Sequence, residues 1–554
     1  MDLLTLLSLL RSAREDDALG LVLLDVRTLG AGWGRIQTVR RALLELRAAG
    51  KRVWAYLAEA GMHEYYLASA ADRVFLAPAG RFEAVGLASE VLFLKGALDR
   101  LGVEAQLVHS GRFKSAGEPL TRTDMSDEHR TAANDLLDDL YGQLVTDIAR
   151  DRRLDETAVR TAFEEGPFLA AEAERRGLVD ALAYPDEVHA ALEERFGDPA
   201  FIDMPTYRRR RAHVMRRLAL DATVVGLLPV RGAITFDSGA PMGSGRNATW
   251  RDFRRELASM AEDPRLAAIV LRIDSPGGSG LASDLMWREI VQARRLKPVV
   301  VSMADVAASG GYYMAAAADD VTAEGGTLTG SIGVLSMKPV LRGLYDHLGL
   351  TKEIVARGNA GRNSDYVRLD EHEMRRLGSE ADAFYADFVG KVASGRGLST
   401  EAVAAAAEGR VWSGQQALAH GLIDRIGGLE ETLTALRGRL ELSPDARIAI
   451  QRRAASAALW QRILGLRGAV AATAGPRAVL DRVVEPLAPA LRGERLLAVM
   501  PFFMEFVQRG QAPPPVPGRA RPQGVAVRPQ GVAARLYGLV SRIAGAFGEP
   551  PVVF

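Results

Sequence analysis

Ser309 stands in Val306-Ala-Ala-Ser-Gly-Gly-Tyr-Tyr313, between an alanine and two glycines. Small neighbours let a substrate backbone approach a hydroxyl. An apolar, β-branched run over Val299–Met303 precedes the serine and helix-forming composition over Tyr312–Ala318 follows it, a pattern that predicts strand, tight turn and helix. A serine on such a turn is presented as a nucleophile, and the first N–H groups of the helix, which have no intrahelical partner, can hold a developing oxyanion. Read by itself, the same turn also serves simply to pack a helix on a sheet.

A serine nucleophile needs a base. Internal self-similarity points to one. Tyr65-Tyr-Leu-Ala-Ser-Ala-Ala-Asp72-Arg-Val74 returns 247 positions later as Tyr312-Tyr-Met-Ala-Ala-Ala-Ala-Asp319-Asp-Val321. At the same spacing Leu21–Val26 falls on Ala268–Ile273 and Leu101-Gly102 on Leu348-Gly349, while Gly177-Leu-Val-Asp180 matches Gly421-Leu-Ile-Asp424 at 244. Two homologous domains follow, and they have diverged in complementary ways. Carried back by 247, Ser309 lands on Met62, which is no nucleophile; carried forward, Lys114 lands on Gly361, which is no base. Ser309 and Lys114 are then the natural pair, one from each half. A lysine base must be neutral although its ordinary pKa is about 10.4, and burial between two domains can bring that about. A third piece, Asp274-Ser-Pro-Gly-Gly278, follows the strand expected at Ile269–Ile273 and can present N–H groups of Gly277 and Gly278 at the same sheet edge, so that Gly278 and Gly310 form an oxyanion hole.

The elements that must position these residues alternate. Leu21–Val26, a helix near Ile36–Ala49, Val53–Leu57 and a helix near Tyr65 read as parallel strands with helical crossovers. With 554 residues the chain is too long for one core. Its net charge of +1 argues against bulk nucleic-acid binding, and the absence of cysteine excludes disulfides, a thiolate nucleophile and cysteine-held metal sites. No apolar run reaches the roughly 18 residues of a spanning helix. The apolar start Leu3–Leu10 has neither a basic region before it nor a small-residue cleavage pattern after it, so it is not read as a signal peptide.

Asp274-Ser-Pro-Gly-Gly278, Ala307-Ala-Ser-Gly-Gly-Tyr-Tyr313, Thr327-Leu-Thr-Gly-Ser-Ile-Gly333 and Phe113-Lys-Ser-Ala-Gly-Glu-Pro119 together resemble the signal peptide peptidase A family in its long, tandem-domain form, a Ser-Lys peptidase group of family S49. The likeness runs over roughly Leu3–Gly428. It implies an α/β fold of two tandem ClpP/crotonase-like domains, with Ser309 as nucleophile, Lys114 as general base and Ser331 as the serine that orients the lysine. It further implies peptide substrates such as signal-peptide remnants, a bowl-shaped homo-oligomer (a tetramer), a place at the periplasmic side of a bacterial inner membrane, and no metal or cofactor. Three other readings stay open at this point. They are a crotonase-like acyl-CoA enzyme, an inactive membrane-associated scaffold of the same fold, and a Ser-His-Asp enzyme, for which His109 is the one histidine near a motif.

The expected organisation is a first repeat over 1–204 with the lysine, a basic linker helix over 205–222 and a second repeat over 223–440 with the serine. A helical extension over 441–506, a Pro-rich linker over 507–533 and an amphipathic tail helix over 534–554 complete it. The linker's arginines, Arg208–Arg211 and Arg216-Arg217, read as a solvated face or as a contact for an anionic membrane surface. One strand is expected to be missing. Thr223–Ile234 opens the second repeat, and its counterpart at 247 would lie upstream of Met1. The first repeat should therefore show a sheet edge without that partner, and either the true start lies upstream or membrane contact falls to the basic and tail helices.

Overall fold

The computed structural model describes residues 2–197, 201–219, 221–236, 247–452, 497–499, 505–506 and 552–553. Two α/β units are built on parallel strands. In the first, Leu21–Val26, Arg52–Leu57, Arg73–Leu76 and Ala181–Leu182 lie side by side in that order. In the second, Thr223–Arg231, Ala268–Ser275 and Val299–Ala308 run parallel, and Asp320–Ala323 and Leu328–Gly330 pair with successive lengths of Val299–Ala308.

The repeat is written in polar contacts as well as in strands. Tyr65 donates its hydroxyl proton to the Leu178 carbonyl at 2.8 Å, and Tyr312 does the same to Leu422 at 2.8 Å. Asp180 accepts from the Val74 N–H at 2.7 Å and pairs with Arg152; Asp424 accepts from Val321 at 2.7 Å and pairs with Arg396. Each unit also carries a 26-residue helix, Asp127–Arg152 and Glu371–Arg396, ended by a left-handed residue, Arg153 in one and Gly397 in the other. Pairing of Asp72 with Val53 and of Asp319 with Val299 shows one extra residue between strand and tyrosine pair in the second unit, so the ungapped register slips there by one. There the strand runs ten residues against six, and its last turn reaches Ser309.

Leu21–Val26 pairs with Arg52–Leu57 and, among the described residues, has no strand on its other edge. The corresponding edge in the second unit is covered by Thr223–Arg231, and beyond that by Ile448–Arg452. This last strand corrects the expectation of helix from 441 onward. Its isoleucines alternate with small or polar residues and are buried against Val225 and Leu227, a half-covered sheet position rather than a helix face. Leu497–Val499 and Glu505–Phe506, in the same stretch, are strands too. Residues 453–496, the Pro-rich linker 507–533 and the helix expected over Ala534–Gly548 lie outside the described residues, and Val552–Val553 is a strand on Ile448–Arg452. Between the units a basic helix spans Met204–Leu218.

Two features lock the units together. Leu7 of the first helix, Leu3–Arg14, is buried among Val225, Val270, Val300 and Leu433 of the second unit. The helix Trp33–Ala48 starts at Gly32, which has no side chain to cap it. Asp305 of the second unit supplies the cap, accepting from Gly32 N–H at 2.9 Å and Arg35 N–H at 2.8 Å. Arg35 completes the joint by pairing with Asp305 at 2.6 Å and Asp274 at 2.5 Å. The matching helix of the second unit, Gly280–Ala293, caps itself through the Ser279 hydroxyl.

Candidate active site

A strand of the first unit that pairs in the second brings the lysine to the serine. Glu104–Ser110 of the first unit pairs antiparallel with Val334–Val340 of the second along its whole length, from Ser110 opposite Val334 to Glu104 opposite Val340. Leu335 and Met337 bury this contact with Ala116, Leu107 and Leu120. The chain leaving Ser110 turns at Gly111 (φ 106°), where a side chain would run into the Glu408 backbone at 2.6 Å, and arrives at Lys114. The chain entering Val334 comes from Ser331. Lys114 and Ser331 thus meet at one end of the pairing.

The other partner comes from Val299–Ala308. Ser309 follows this strand directly and caps the helix Gly310–Ala315, with φ 54° and ψ −114°. A positive φ is uncommon for a residue with a side chain and is held only where the surroundings fix it. Here the Ser309 N–H donates to the Gly330 carbonyl at 2.8 Å, and Gly311 lies so close to Ser275 that a Cβ would stand 2.7 Å from its carbonyl oxygen. Ser331 also has a positive φ, 52°.

Lys114 Nζ lies 2.8 Å from Ser309 Oγ, 2.9 Å from Ser331 Oγ and 3.0 Å from the Ser331 carbonyl oxygen. All three residues are buried, Lys114 with 1% of its surface exposed. No carboxylate pairs with the lysine among the described residues, and burial alone drives its pKa well below the usual lysine value of 10.5. In its unprotonated form, which this burial favours, the amine has two N–H donors and one lone pair. Ser331 offers two acceptors, which leaves the lone pair for the Ser309 hydroxyl.

Of the residues singled out in the sequence, Ser309, Lys114 and Ser331 come together as a hydrogen-bonded set. Gly310 opens the helix beside Ser309. Gly278 sits in the short strand Gly277–Ser279, which packs against that helix. Its φ is 156°, and a Cβ there would stand 2.1 Å from the Ile234 carbonyl oxygen, so close strand pairing already requires the glycine. Because the Ser309 N–H is engaged by Gly330, it is not available to an oxyanion. Nδ1 of His109 lies 3.1 Å from the Gly111 carbonyl, and the hydroxyl of Ser309 is bonded to Lys114 rather than to a histidine.

No motif announces Glu408-Gly-Arg410, the loop that holds both sides of the site. Phe113 N–H donates to the Glu408 carbonyl and Gly409 N–H to Ile332, both at 2.7 Å, while the Arg410 carbonyl accepts from Ser331 N–H at 2.7 Å. Gly409 (φ 80°) touches Lys114 so closely that a Cβ would stand 2.6 Å from the lysine's own Cβ. Its only signal in the sequence is a glycine between a helix and a strand, which is how ordinary turns also read.

A model of peptidase family S49 matches twice, over residues 45–197 and 292–443, one match in each unit. The chain belongs to peptidase family S49. Within the family it is 32% identical over 444 residues to the chloroplastic serine protease SPPA of Arabidopsis thaliana, an alignment covering 79% of this chain and 66% of that one. It is 30% identical to Protease 4 of Salmonella typhi, again over 444 residues, which cover 78% of this chain and 71% of the relative. Among solved structures, a variant of the 1510-N membrane-bound stomatin-specific protease covers 42% of the chain with 16% identity and a TM-score of 0.28. No helix among the described residues is long and apolar enough to cross a membrane.

Proposed function

We propose that this S49 chain is a serine endopeptidase working through a Ser309–Lys114 dyad. The observation that carries the reading is the 2.8 Å contact between Ser309 Oγ and a fully enclosed lysine amine that no carboxylate among the described residues holds charged. In the first step Ser309 Oγ attacks a peptide carbonyl carbon while its proton passes to Lys114 Nζ. The tetrahedral oxyanion is met by the N–H groups of Gly310 and Gly278, and Ser331 keeps the amine aligned with two acceptors. Collapse breaks the C–N bond, the lysine proton goes to the leaving amine, and an ester on Ser309 remains. Water then attacks the ester, giving its proton to Lys114, and Ser309 leaves with that proton restored.

As part of the same reading we take the substrates to be peptides such as signal-peptide remnants, cut by a homo-oligomer at the periplasmic face of a bacterial inner membrane. An acyl-CoA enzyme would leave the serine–lysine contact without a task. The test is labelling by a fluorophosphonate together with hydrolysis of a peptide mixture. Modification confined to Ser309, and turnover lost in Lys114→Arg, are expected. Full turnover by Lys114→Arg would overturn the dyad, because arginine stays protonated.

A further inference from the structure

Leu497–Val499, a strand that follows the second repeat in sequence, lies beside the site. Gly277–Ser279 is bonded on one edge to Ile234 and on the other, antiparallel, to Leu497–Val499. Gly277 stands opposite Val499, Gly278 opposite Ala498 and Ser279 opposite Leu497. The far edge of the same three residues meets Val334–Val340, with Leu335 opposite Leu497. The segment also touches Gly310–Ala315, the helix that Ser309 caps. It therefore fills the slot between the strand holding Gly278 and the strand that follows Ser331.

Without Leu497–Val499, two sheet edges would face each other unpaired across that slot. Such edges take up an extended chain through main-chain hydrogen bonds, with little regard for its sequence. The slot is also where a peptide must lie to be cut, since a strand antiparallel to Gly277–Ser279 brings its backbone past Gly278 and the start of the Ser309 helix. Ser309 is fully buried in this arrangement. A nucleophile meant for peptides is thus enclosed while one of the chain's own segments lies where a substrate would.

We propose that Leu497–Val499 is a tethered occupant of the substrate groove, a strand of this chain that competes with peptides for both edges. The proposal rests on the peptidase reading for its consequence, though not for its geometry. Covalent attachment makes the competition effective, because a segment of the same chain meets the groove intramolecularly, at an effective concentration that free peptides must exceed. A weak strand then holds the groove against dilute peptides and yields to concentrated or tightly bound ones. The sequence suits the part. Leu497, Ala498 and Val499 are apolar residues free of proline, whereas Pro501, two positions on, has no N–H with which to extend the pairing.

The test uses the full chain carrying Ser309→Ala, so that nothing is cut, with and without Ala498→Pro. Proline at 498 removes an N–H from the strand. Backbone exchange of deuterium at 277–279 and at 335 is expected to quicken by at least about tenfold in the Ala498→Pro chain, while exchange in the strands of the two cores stays unchanged. Ala498→Gly with Val499→Gly, a milder pair, should give the same direction. Equal exchange in all the chains would overturn the proposal, whatever their activity. In the Ser309 background, Ala498→Pro should raise kcat/KM for a short peptide several-fold, and an added peptide spanning residues 495–501 should reverse the gain by competition. An unchanged kcat/KM in an active enzyme would also overturn it. Faster exchange with no hydrolysis by any chain would leave the occupied groove standing and count against the peptidase reading instead.

Discussion

Lys114 is fixed by Ser331 at two points, the hydroxyl at 2.9 Å and the main-chain carbonyl at 3.0 Å. Removing the hydroxyl leaves one acceptor for two N–H groups, so the amine gains freedom to turn from Ser309. Ser331→Ala is expected to lower kcat by about 10- to 100-fold with little change in KM, less than the roughly 10²- to 10⁴-fold that an acid-base group itself contributes. The fold should survive, since the substitution empties less than a methyl's worth of space. Steady-state kinetics beside a melting curve checks both halves. A fall in KM-dependent terms alone would mean that Ser331 binds peptide rather than the lysine.

Lys114→Met should abolish hydrolysis and yet stabilise the protein. The lysine is enclosed without a counter-charge among the described residues, and a linear apolar side chain of similar length needs no desolvation. Chemical denaturation should show a gain of about 1 kcal/mol or more at neutral pH. Lys114→Arg should be inactive and less stable, because its charge cannot be shed in the same enclosure.

The pH dependence follows from the same burial. The folded lysine has its pKa below the ordinary 10.5, so between the two values the unfolded chain binds the additional proton. Stability attributable to this residue therefore rises with pH across that window, and the full penalty is felt below the folded value. The advantage of Lys114→Met over the wild type should be largest in acid and shrink toward pH 10. Activity needs the neutral amine, so kcat/KM should climb with pH through the folded value on a single ascending limb. Denaturation and rate profiles measured together would show whether one group governs both.

Neither half should work by itself. Residues 220–440 contain Ser309 but lose both Lys114 and the strand Glu104–Ser110 that pairs with Val334–Val340. Purified separately, each half should leave a peptide mixture intact. If the second half cleaved as fast as the whole chain, its base would have to be found within it.

Much of this was readable from residue types. The tyrosine pairs announced the two units, and the residues opposite Ser309 and Lys114 in the repeat, Met62 and Gly361, pointed to that pair, whose Oγ and Nζ lie 2.8 Å apart. Ser331 was recognisable only through the resemblance of Thr-Gly-Ser-Ile-Gly, since a small polar residue in a turn carries no period and no charge. The helical reading of 441–506 failed at its strands for a physical reason. Runs of two to five residues are too short for a periodic signal, and pairing with distant chain decides their conformation. Pairing with distant chain likewise decides Glu104–Ser110, whose partner lies in the other unit. Asp305 was invisible as a cap because its helix begins far away in sequence.

Asp305→Ala offers a direct measure of that joint. It removes acceptors from two backbone N–H groups and a partner from Arg35, which should cost about 1–3 kcal/mol. Urea titration of the full chain would report it, with Ser279→Ala, the self-capped counterpart, as the reference.

The contrast between those two helix starts also bears on the order of assembly. Gly280–Ala293 can form its first turn from its own sequence, as soon as Ser279 is in place. Trp33–Ala48 cannot, although it is made first on the ribosome, because the carboxylate that finishes it arrives some 270 residues later. Its leading turn should stay frayed in the nascent chain and become regular only when the second unit has docked. A loose helix end on the early half thus marks an unfinished molecule, and the closing of that end coincides with the moment Lys114 acquires its serine.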